Sequence, residues 1–338
     1  MILVTGGTGL LGSHLVLRLL QDGQKVRAIV REGGNPEKAL QIWRYYIPDA
    51  SARLNEVEWI STDICNKAKL AEAFDGVDHV YHCAAVVSFD PRKKAEMIDV
   101  NVKATRNIVD LSLERGIKKL VHVSTIAAIG NTGQKEEISE KDKWPVNARS
   151  IYAKTKTDAE LEVWRGVYEG LNAVMVNPSI ILGPGFWKES SARFYDVIYH
   201  GLKYYTSGCN GFVDVEDVTA AMIMLMNGKI KAERFILNGA NLSFQNFFEK
   251  VANALKVKVP GRKATPLMTA LAWRFEWLKS GITGKPPLIT RSSAASSQTR
   301  RLYSASKIKE MTGITFRNID DTITRIADLY LKDHITSH

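Results

Sequence analysis

The segment TGGTGLLGSHL at residues 5–15 follows the apolar stretch ILVT and opens a run of helical character. Gly7, Gly9 and Gly12 fit the pattern G-x-G-x-x-G, and Gly6 joins the last two in the related pattern G-x-x-G-x-x-G. Such glycines permit a tight turn, let the backbone approach a pyrophosphate and let the helix pack against the sheet. The helix start offers free N–H groups to the phosphates. We therefore predict a dinucleotide-binding turn made of Gly6, Gly7, Thr8, Gly9, Leu10, Leu11 and Gly12.

Short apolar stretches alternate with helical stretches over the first 180 residues. The apolar stretches are rich in β-branched residues and nearly continuous, as buried parallel strands are. We predict strands at 2–5, 25–30, 57–61, 78–83, 119–124 and 173–177, and helices near 10–22, 37–46, 66–74, 92–115 and 150–169. This alternation predicts an α/β protein with a doubly wound parallel sheet, the Rossmann fold.

The pattern loosens beyond residue 180. GFVDVEDVTAAMIMLM at 211–226 reads as a strand that runs into a helix, RFILNG at 234–239 reads as another strand, and isoleucines at helical spacing predict a last helix over 318–333. We expect residues 1–180, with 212–240 returning to them, to form the nucleotide-binding core. Residues 181–211 and 241–335 would form a smaller C-terminal α+β lobe that binds the substrate over the carboxyl ends of the strands.

Composition narrows the classes of function. The chain has 338 residues and a net charge of +10, but its basic residues are scattered, so nucleic acid is not an expected partner. Its three cysteines lie far apart without a C-x-x-C pair, so we expect no metal site and a reducing, cytoplasmic location. The N-terminus lacks the basic region of a signal peptide, and no stretch is long enough for a transmembrane helix. PLMTALAWRFEWLK at 266–279 fits either a core-packing helix or a helix that touches a membrane surface.

The end of the second predicted strand bears on the choice of cofactor. An acidic residue there usually binds the ribose hydroxyl of NAD, and an arginine accommodates the 2′-phosphate of NADP. Arg31 occupies this point, with Glu32 next to it and Lys38 on the following helix, so we favour NADP and keep NAD as the alternative. Asp63, followed by Ile64, fits either an adenine contact or a turn. The small residues Ala84 and Ala85, followed by Val86, fit close passage of the cofactor or simple tight packing.

Tyr152 and Lys156 are four residues apart in a predicted helix and share one face of it. A neighbouring cation favours the phenolate and would lower the tyrosine pKa, which makes the pair a plausible general acid and base. Lys154 points to another side. Ser124 and Thr125 end the fifth predicted strand, where open α/β sheets bind their ligands, and either hydroxyl could hold a substrate oxygen. His82 fits a core histidine better than a catalyst.

These motifs together resemble the extended short-chain dehydrogenase/reductases. The resemblance rests on TGGTGLLG, STDI, HCAA, VNVKATRN, VHVST, YAKTK, NPSIILGPG and FVDVEDVTAAM, which fall in family order over about residues 1–240. VRAIVRE and the C-terminal layout resemble the dihydroflavonol 4-reductase and 3β-hydroxysteroid dehydrogenase branch.

The resemblance implies a role for each matching residue. Tyr152 would exchange the proton with the substrate oxygen, Lys156 would hold the nicotinamide ribose, and Thr125 would be the catalytic hydroxyl. Asn101 would order the site from the neighbouring helix. The cofactor would also meet Ser124, Pro178, Ser179 and Ile180, and the substrate would meet Ser88, Phe89, the 126–131 loop and the Gly185–Tyr195 loop, which includes Phe186.

Three functions follow from this resemblance. The first is an NADP-dependent reductase of a ketone or aldehyde on a fairly apolar small-molecule substrate. The second is a nucleotide-sugar epimerase or dehydratase with tightly bound NAD. The third is a non-catalytic nucleotide-sensing protein, a class that often lacks the tyrosine–lysine pair. The family resemblance also implies a homodimer through the helices at 92–115 and 150–169.

Overall fold

The computed structural model describes residues 1–130, 137–145, 148, 150–283 and 290–335. Its strands are β1 (Ile2–Thr5), β2 (Val26–Val30), β3 (Glu58–Ser61), β4 (His79–His82), β5 (Lys119–Val123), β6 (Glu137–Ile138), β7 (Ala173–Pro178), β8 (Ile180–Leu182), β9 (Tyr204–Tyr205), β10 (Cys209–Asp214), β11 (Glu233–Leu237), β12 (Ala240–Ser243), β13 (Arg262–Lys263) and β14 (Leu302–Tyr303). Its α-helices are α1 (Leu10–Gln21), α2 (Leu40–Trp43), α3 (Ala50–Leu54), α4 (Lys67–Glu72), α5 (Lys94–Ile98), α6 (Ala104–Glu114), α7 (Ile151–Tyr168), α8 (Arg193–Tyr199), α9 (Val215–Asn227), α10 (Phe244–Ala254), α11 (Pro266–Thr283), α12 (Arg291–Ser297), α13 (Ser306–Thr312) and α14 (Ile319–Ile335).

In the described part of the chain, seven parallel strands form the central sheet in the order β3-β2-β1-β4-β5-β7-β11. From β1 the chain adds β2 and β3 on one side of the sheet and then adds β4, β5, β7 and β11 on the other. The switch therefore lies between β1 and β4, as it does in a doubly wound sheet. Helices α1, α2 and α9 contribute buried side chains to one face, and α4, α6 and α7 contribute to the other. The predicted fold class is therefore confirmed.

A separate group of buried side chains lies beyond the central sheet. Helices α8, α10 and α14 supply its apolar residues, which pack near the small sheet β12-β10-β8. This group supports the predicted smaller lobe, whose boundaries stay a prediction. One part of the range 241–335 packs elsewhere, because Ala305, Ile308 and Ile314 belong to the buried cluster around α1 and α9.

Two predicted helices are interrupted. A 3₁₀ turn at Pro36–Ala39 precedes α2, and another at Pro91–Lys93 precedes α5. A π-helical segment, Asp99–Lys103, then separates α5 from α6. Single π turns of this kind often occur at functional sites. Helix α10 is not among the predicted helices, although its Phe244, Phe247, Phe248 and Val251 are buried at helical spacing.

Helix α11 presents apolar side chains to solvent. Leu267, Leu271 and Phe275, four residues apart, are 70%, 59% and 68% exposed. A purely core-packing helix is therefore the wrong description of the 266–279 stretch. None of the helices in the described ranges has the length and apolar character that crossing a bilayer requires.

The turn between β1 and α1 is closed around glycines. Gly6 has φ of +70°, a conformation that strains other residues. A Cβ at Gly12 would lie 2.1 Å from the Gly6 carbonyl oxygen, so backbone fills the space that a side chain would need. A Cβ at Gly9 would lie 3.4 Å from the same oxygen, and Gly9 has an ordinary φ of −83°.

We expect Gly12→Ala to lower the free energy of unfolding, because the clash is with backbone that cannot rotate away and overpacking usually costs about 1–3 kcal/mol. Alanine gains roughly 1 kcal/mol over glycine within a helix, so the net loss is at most about 2 kcal/mol. Urea denaturation without added cofactor measures the difference. Gly9→Ala is the matched control and should unfold like the wild type. Equal stabilities of the two variants would show that the turn tolerates a side chain at residue 12.

Candidate active site

The carboxyl ends of β1 and β4 meet at the glycine turn. A Cβ at Gly6 would lie 2.9 Å from the Ala84 backbone, so the loop after β4 lies directly against the turn. The Ala84 N–H donates to the Thr5 hydroxyl over 3.1 Å. Both predicted cofactor segments, residues 6–12 and 84–86, therefore border the same space at this edge of the sheet.

Two features of this edge fit a dinucleotide. The glycine turn leaves the first N–H groups of α1 without a side-chain cap, which suits a pyrophosphate. At the end of β7, Ser179 is buried and its hydroxyl has no hydrogen-bond partner among the described residues. A buried unpaired hydroxyl is costly, so Ser179 fits a polar group such as the nicotinamide carboxamide. Pro178 and Ile180 flank it.

The residues after β2 separate into different roles. Glu32 binds Lys69 with 2.7 Å between Oε1 and Nζ. Lys38 lies over the Phe186 ring at 4.5 Å and pairs with Glu189 at 3.2 Å. Arg31 is exposed and forms no ion pair with the described residues. The arginine is therefore more available than the glutamate to a group at the adenosine ribose.

Asp63 shows the turn role that the sequence left as an alternative. Its carboxylate accepts a hydrogen bond of 2.9 Å from the Cys65 N–H. Asp63 and Ile64 follow β3, next in the sheet to β2, where the adenosine end of a cofactor would lie. A contact with adenine stays a prediction.

Asn101 lies in the π-helical segment and joins three parts of the site. Its side-chain amide accepts from the Val86 N–H at 2.8 Å and donates to the Val86 carbonyl at 3.0 Å. It also donates to the Thr155 hydroxyl at 3.0 Å. Asn101 thus holds the loop after β4 against α7, the helix of Tyr152 and Lys156, which is the ordering role that the resemblance implies.

Tyr152 and Thr125 meet in the site. Burial raises the pKa of Tyr152 to about 12, and the nearby Thr125 hydroxyl partly opposes the rise. The predicted lowering of this pKa by Lys156 is wrong for the structure as described. Lys156, 1% exposed, instead donates to the Val123 carbonyl at 2.8 Å. Burial lowers the pKa of Lys156 to about 8, and the Glu160 carboxylate partly opposes this.

A cavity of about 640 Å³ opens beside Tyr152 and Thr125, within the size range of small-molecule sites. Phe89 forms part of its wall and meets the Tyr152 ring edge to face, with 6.3 Å between centroids. The loop after β5 lines it through Ile126, Ala127, Ile129 and Gly130, while residue 131 of the predicted loop lies outside the described residues. Apolar groups dominate the walls.

The prediction of a substrate contact from Phe186 is not supported by this cavity. Phe186 does not line it and packs against Lys38 instead. Trp187 of the same loop donates to Asp333 of α14 at 2.7 Å, and a Cβ at Gly185 would lie 2.8 Å from Ile42 of α2. Ser88 lines a neighbouring cavity and accepts a hydrogen bond from the Asp90 N–H at 3.1 Å. The aromatic residues of this loop pack against buried clusters, and a substrate contact from the loop stays a prediction.

His82 is a core residue, as the sequence indicates. Its ring nitrogens lie 2.7 Å from the Thr5 hydroxyl and 2.9 Å from the Thr105 hydroxyl. Burial lowers the pKa of His82 to about 3, so the ring is neutral near pH 7.

A buried carboxylate beneath the site has no counterpart among the predicted residues. Glu160 is fully buried, and its Oε1 accepts from Ser124 and Asn177, each at 2.5 Å. Its Oε2 accepts from Trp144 Nε1 at 3.0 Å and from the Arg234 guanidinium at 3.3 Å. The predicted cofactor contact Ser124 thus turns its hydroxyl toward Glu160. The four-residue spacing from Lys156 was the available signal, because it puts Glu160 on the inner face of α7.

The sequence profile of the NAD-dependent epimerase/dehydratase family matches residues 2–237. The chain belongs to this family. In the described residues, no group of histidine, cysteine, aspartate and glutamate side chains could hold a metal ion.

Relatives and solved structures agree with this membership. A protein of Synechocystis sp. named as a candidate dihydroflavonol 4-reductase is 28% identical over 95% of this chain and 91% of its own. Sterol demethylase protein B of Methylococcus capsulatus is 30% identical over 70% of this chain and 69% of its own. The crystal structure of gox2253 superposes with a TM-score of 0.80, at 28% identity and 98% coverage of both chains. The predicted resemblance is confirmed: this is an NAD(P)-dependent enzyme of the extended short-chain dehydrogenase/reductase type.

We expect Glu160→Gln to lower the free energy of unfolding by about 3–5 kcal/mol, the cost of breaking a buried ion pair. A glutamine has one acceptor oxygen, so its NH₂ group must face two of the four donors that the carboxylate now satisfies. Urea denaturation monitored by circular dichroism measures this effect. The control is Asp158→Asn, which breaks only an exposed pair with Lys154 on the same helix and should cost less than about 0.5 kcal/mol. Similar small losses in both variants would contradict the central role of Glu160.

Proposed function

We propose that this enzyme reduces a ketone or an aldehyde on a fairly apolar substrate, with Tyr152 as the proton donor and NADP as the cofactor. The observation that carries the proposal is that Tyr152 and Thr125 line the same mainly apolar cavity. The relative named sterol demethylase protein B and another named tetraketide alpha-pyrone reductase 2, from Arabidopsis thaliana, support chemistry on apolar compounds.

The side chains suit reduction at neutral pH. With a pKa of about 12, Tyr152 keeps its proton until the substrate oxygen accepts it. The Thr125 hydroxyl can hold that oxygen. Lys156, with a pKa of about 8, is mostly protonated near pH 7, so its ammonium can hold the nicotinamide ribose as the resemblance implies. When bound, the nicotinamide cofactor supplies the hydride.

Glycine-turn residues 6–12 would hold the pyrophosphate, and Ala84, Ala85, Val86, Pro178, Ser179 and Ile180 would surround the nicotinamide end. Arg31 would face the adenosine 2′-phosphate, with Lys38 nearby, while Glu32 is held by Lys69. A guanidinium forms paired hydrogen bonds with phosphate, which supports NADP over NAD.

An epimerase or dehydratase with tightly bound NAD is the second candidate. The observation in its favour is fold similarity to structures such as the dTDP-glucose 4,6-dehydratase DesIV from Streptomyces venezuelae, with a TM-score of 0.77 at 19% identity. The apolar cavity walls and the exposed Arg31 favour the reductase. NAD that stays bound through purification would support the epimerase instead. The presence of both Tyr152 and Lys156 argues against a non-catalytic sensor, a class that often lacks them.

We also infer a cytoplasmic homodimer. The family resemblance suggests assembly through α6 and α7, and the three cysteines are free, which suits a reducing compartment. Light scattering at micromolar concentration tests the assembly, and a monomer would refute it.

Tyr152→Phe should abolish NADPH-dependent reduction and leave the NADPH dissociation constant nearly unchanged, because only the transferable proton is lost. NADPH absorbance with a panel of apolar ketones and aldehydes measures turnover, and isothermal titration measures cofactor binding. Tyr168→Phe, at a 90% exposed tyrosine on the same helix, is the matched control and should retain full activity. Wild-type turnover in Tyr152→Phe would remove Tyr152 from the reaction.

Arg31→Ala should weaken NADP binding by about 1.5–3 kcal/mol, the range for hydrogen bonds to charged groups, and leave NAD binding nearly unchanged. Isothermal titration of both cofactors to each protein separates the two effects. The control Glu32→Gln removes a neighbouring charge of opposite sign and should not weaken NADP. A wild-type preference for NAD, or equal weakening of both cofactors in Arg31→Ala, would assign the ribose contact to Glu32 instead.

A further inference from the structure

The cavity beside Tyr152 contains two cationic side chains, Lys143 and Arg301, and no aspartate or glutamate in its described lining. The rest of the lining is apolar or neutral. A partly buried guanidinium such as that of Arg301 is costly next to low-polarity walls unless a partner of opposite sign is near, whereas the exposed Lys143 ammonium is solvated. The protein supplies no such partner for these two residues in the part of the chain that the structure describes.

Arg301 is held in place by its backbone rather than by its charge. Its N–H donates to the Cys209 carbonyl at 3.0 Å, and β14, which begins at the next residue, pairs with β6. The guanidinium forms no ion pair with the described residues, and its Nε is buried without a hydrogen-bond partner. A buried unpaired donor of this kind costs free energy, which an acceptor on a ligand would recover.

Lys143 is fixed on another part of the wall. Its carbonyl accepts from the Gly130 N–H at 2.8 Å, and a Cβ at Gly130 would lie only 2.4 Å from that carbonyl oxygen. The backbone of Lys143 is therefore packed against the loop that follows Thr125. The neighbouring Trp144 is anchored by its bond to Glu160. The Lys143 side chain itself stays exposed and can adapt to a ligand.

From this arrangement we propose that the substrate carries an anionic oxygen group, a carboxylate or a phosphate, which Arg301 and Lys143 bind while Tyr152 and Thr125 bind the carbonyl. The fork of Arg301 matches a planar carboxylate or a phosphate, and Lys143 adds a mobile positive charge. The substrate is then an apolar carbonyl compound with an acidic group at its other end. This inference rests on the proposed reductase function and narrows its substrate class.

The test compares matched ligands that differ in charge. The probes are 4-oxo-4-phenylbutanoate, its methyl ester and the corresponding phosphonate, and isothermal titration gives their dissociation constants with NADP present and absent. The acid and the phosphonate should bind the wild type about ten- to hundredfold more tightly than the ester, the factor expected for a charge-assisted hydrogen bond. A preference between acid and phosphonate identifies which anion the site prefers. Equal affinity of all three probes, or no measurable binding of either anion, overturns the proposal.

Substitutions of the two cationic residues show whether they cause the preference for anions. Arg301→Gln and Lys143→Gln should each remove most of the preference for the anions and leave ester binding unchanged. Arg300→Gln is the matched control, because Arg300 is the exposed neighbour of Arg301 and does not line the cavity. Should Arg301→Gln fold poorly, Lys143→Gln at an exposed position still decides the question. An anion preference that survives in Lys143→Gln and in a folded Arg301→Gln overturns the assignment.

The reductase function is tested separately from the acidic substrate class. Absence of NADPH oxidation with every ketone and aldehyde of the panel would refute the reductase, whatever the probes bind. Turnover of neutral ketones without anion preference would keep the reductase and refute only the acidic substrate class.

Discussion

The buried carboxylate of Glu160 ties the catalytic helix to the sheet. Its donors come from the ends of β5 and β7, from β11 and from the segment before α7. Four donors on two oxygens leave no room for another orientation of the side chain. Because Lys156 and Tyr152 precede Glu160 by one and two turns of the same helix, their distance from the strand ends depends on this anchor. Asn101 supplies a second connection from the opposite side.

The nucleotide-binding part was predictable because its signals are local. The glycine spacing at residues 6–12 and the apolar strands specify neighbours in sequence, and the structure confirms the parallel sheet. The same holds for Tyr152 and Lys156, whose shared helix face follows from their spacing. Glu160 also had a local signal in its spacing from Lys156. Its anchoring role, however, depends on hydrogen bonds from Arg234 and Trp144, which are distant in sequence.

The substrate contacts were predicted less well, because they depend on residues that are distant in sequence. The aromatic residues after Gly185 are predicted as substrate contacts, and their packing depends on α14, where Trp187 binds Asp333. Arg301 reaches the cavity because β14 pairs with β6 across more than 160 residues of sequence. No periodicity in the sequence predicts the pairing of these two short strands. Residues of the C-terminal segment can therefore change the lining of the cavity without altering the glycine turn.

The buried Lys156 has a thermodynamic consequence for the whole enzyme. Burial lowers its pKa from 10.5 to about 8, and a tenfold change in an acid dissociation constant corresponds to about 1.4 kcal/mol. Below pH 8 the amine is protonated in both the folded and the unfolded chain, so the folded state bears a penalty of about 3 kcal/mol. The penalty fades as pH rises from 8 to 10.5, where the folded amine is already neutral. A typical domain is stable by only about 5–15 kcal/mol, so this one buried side chain offsets a large share of what the core provides.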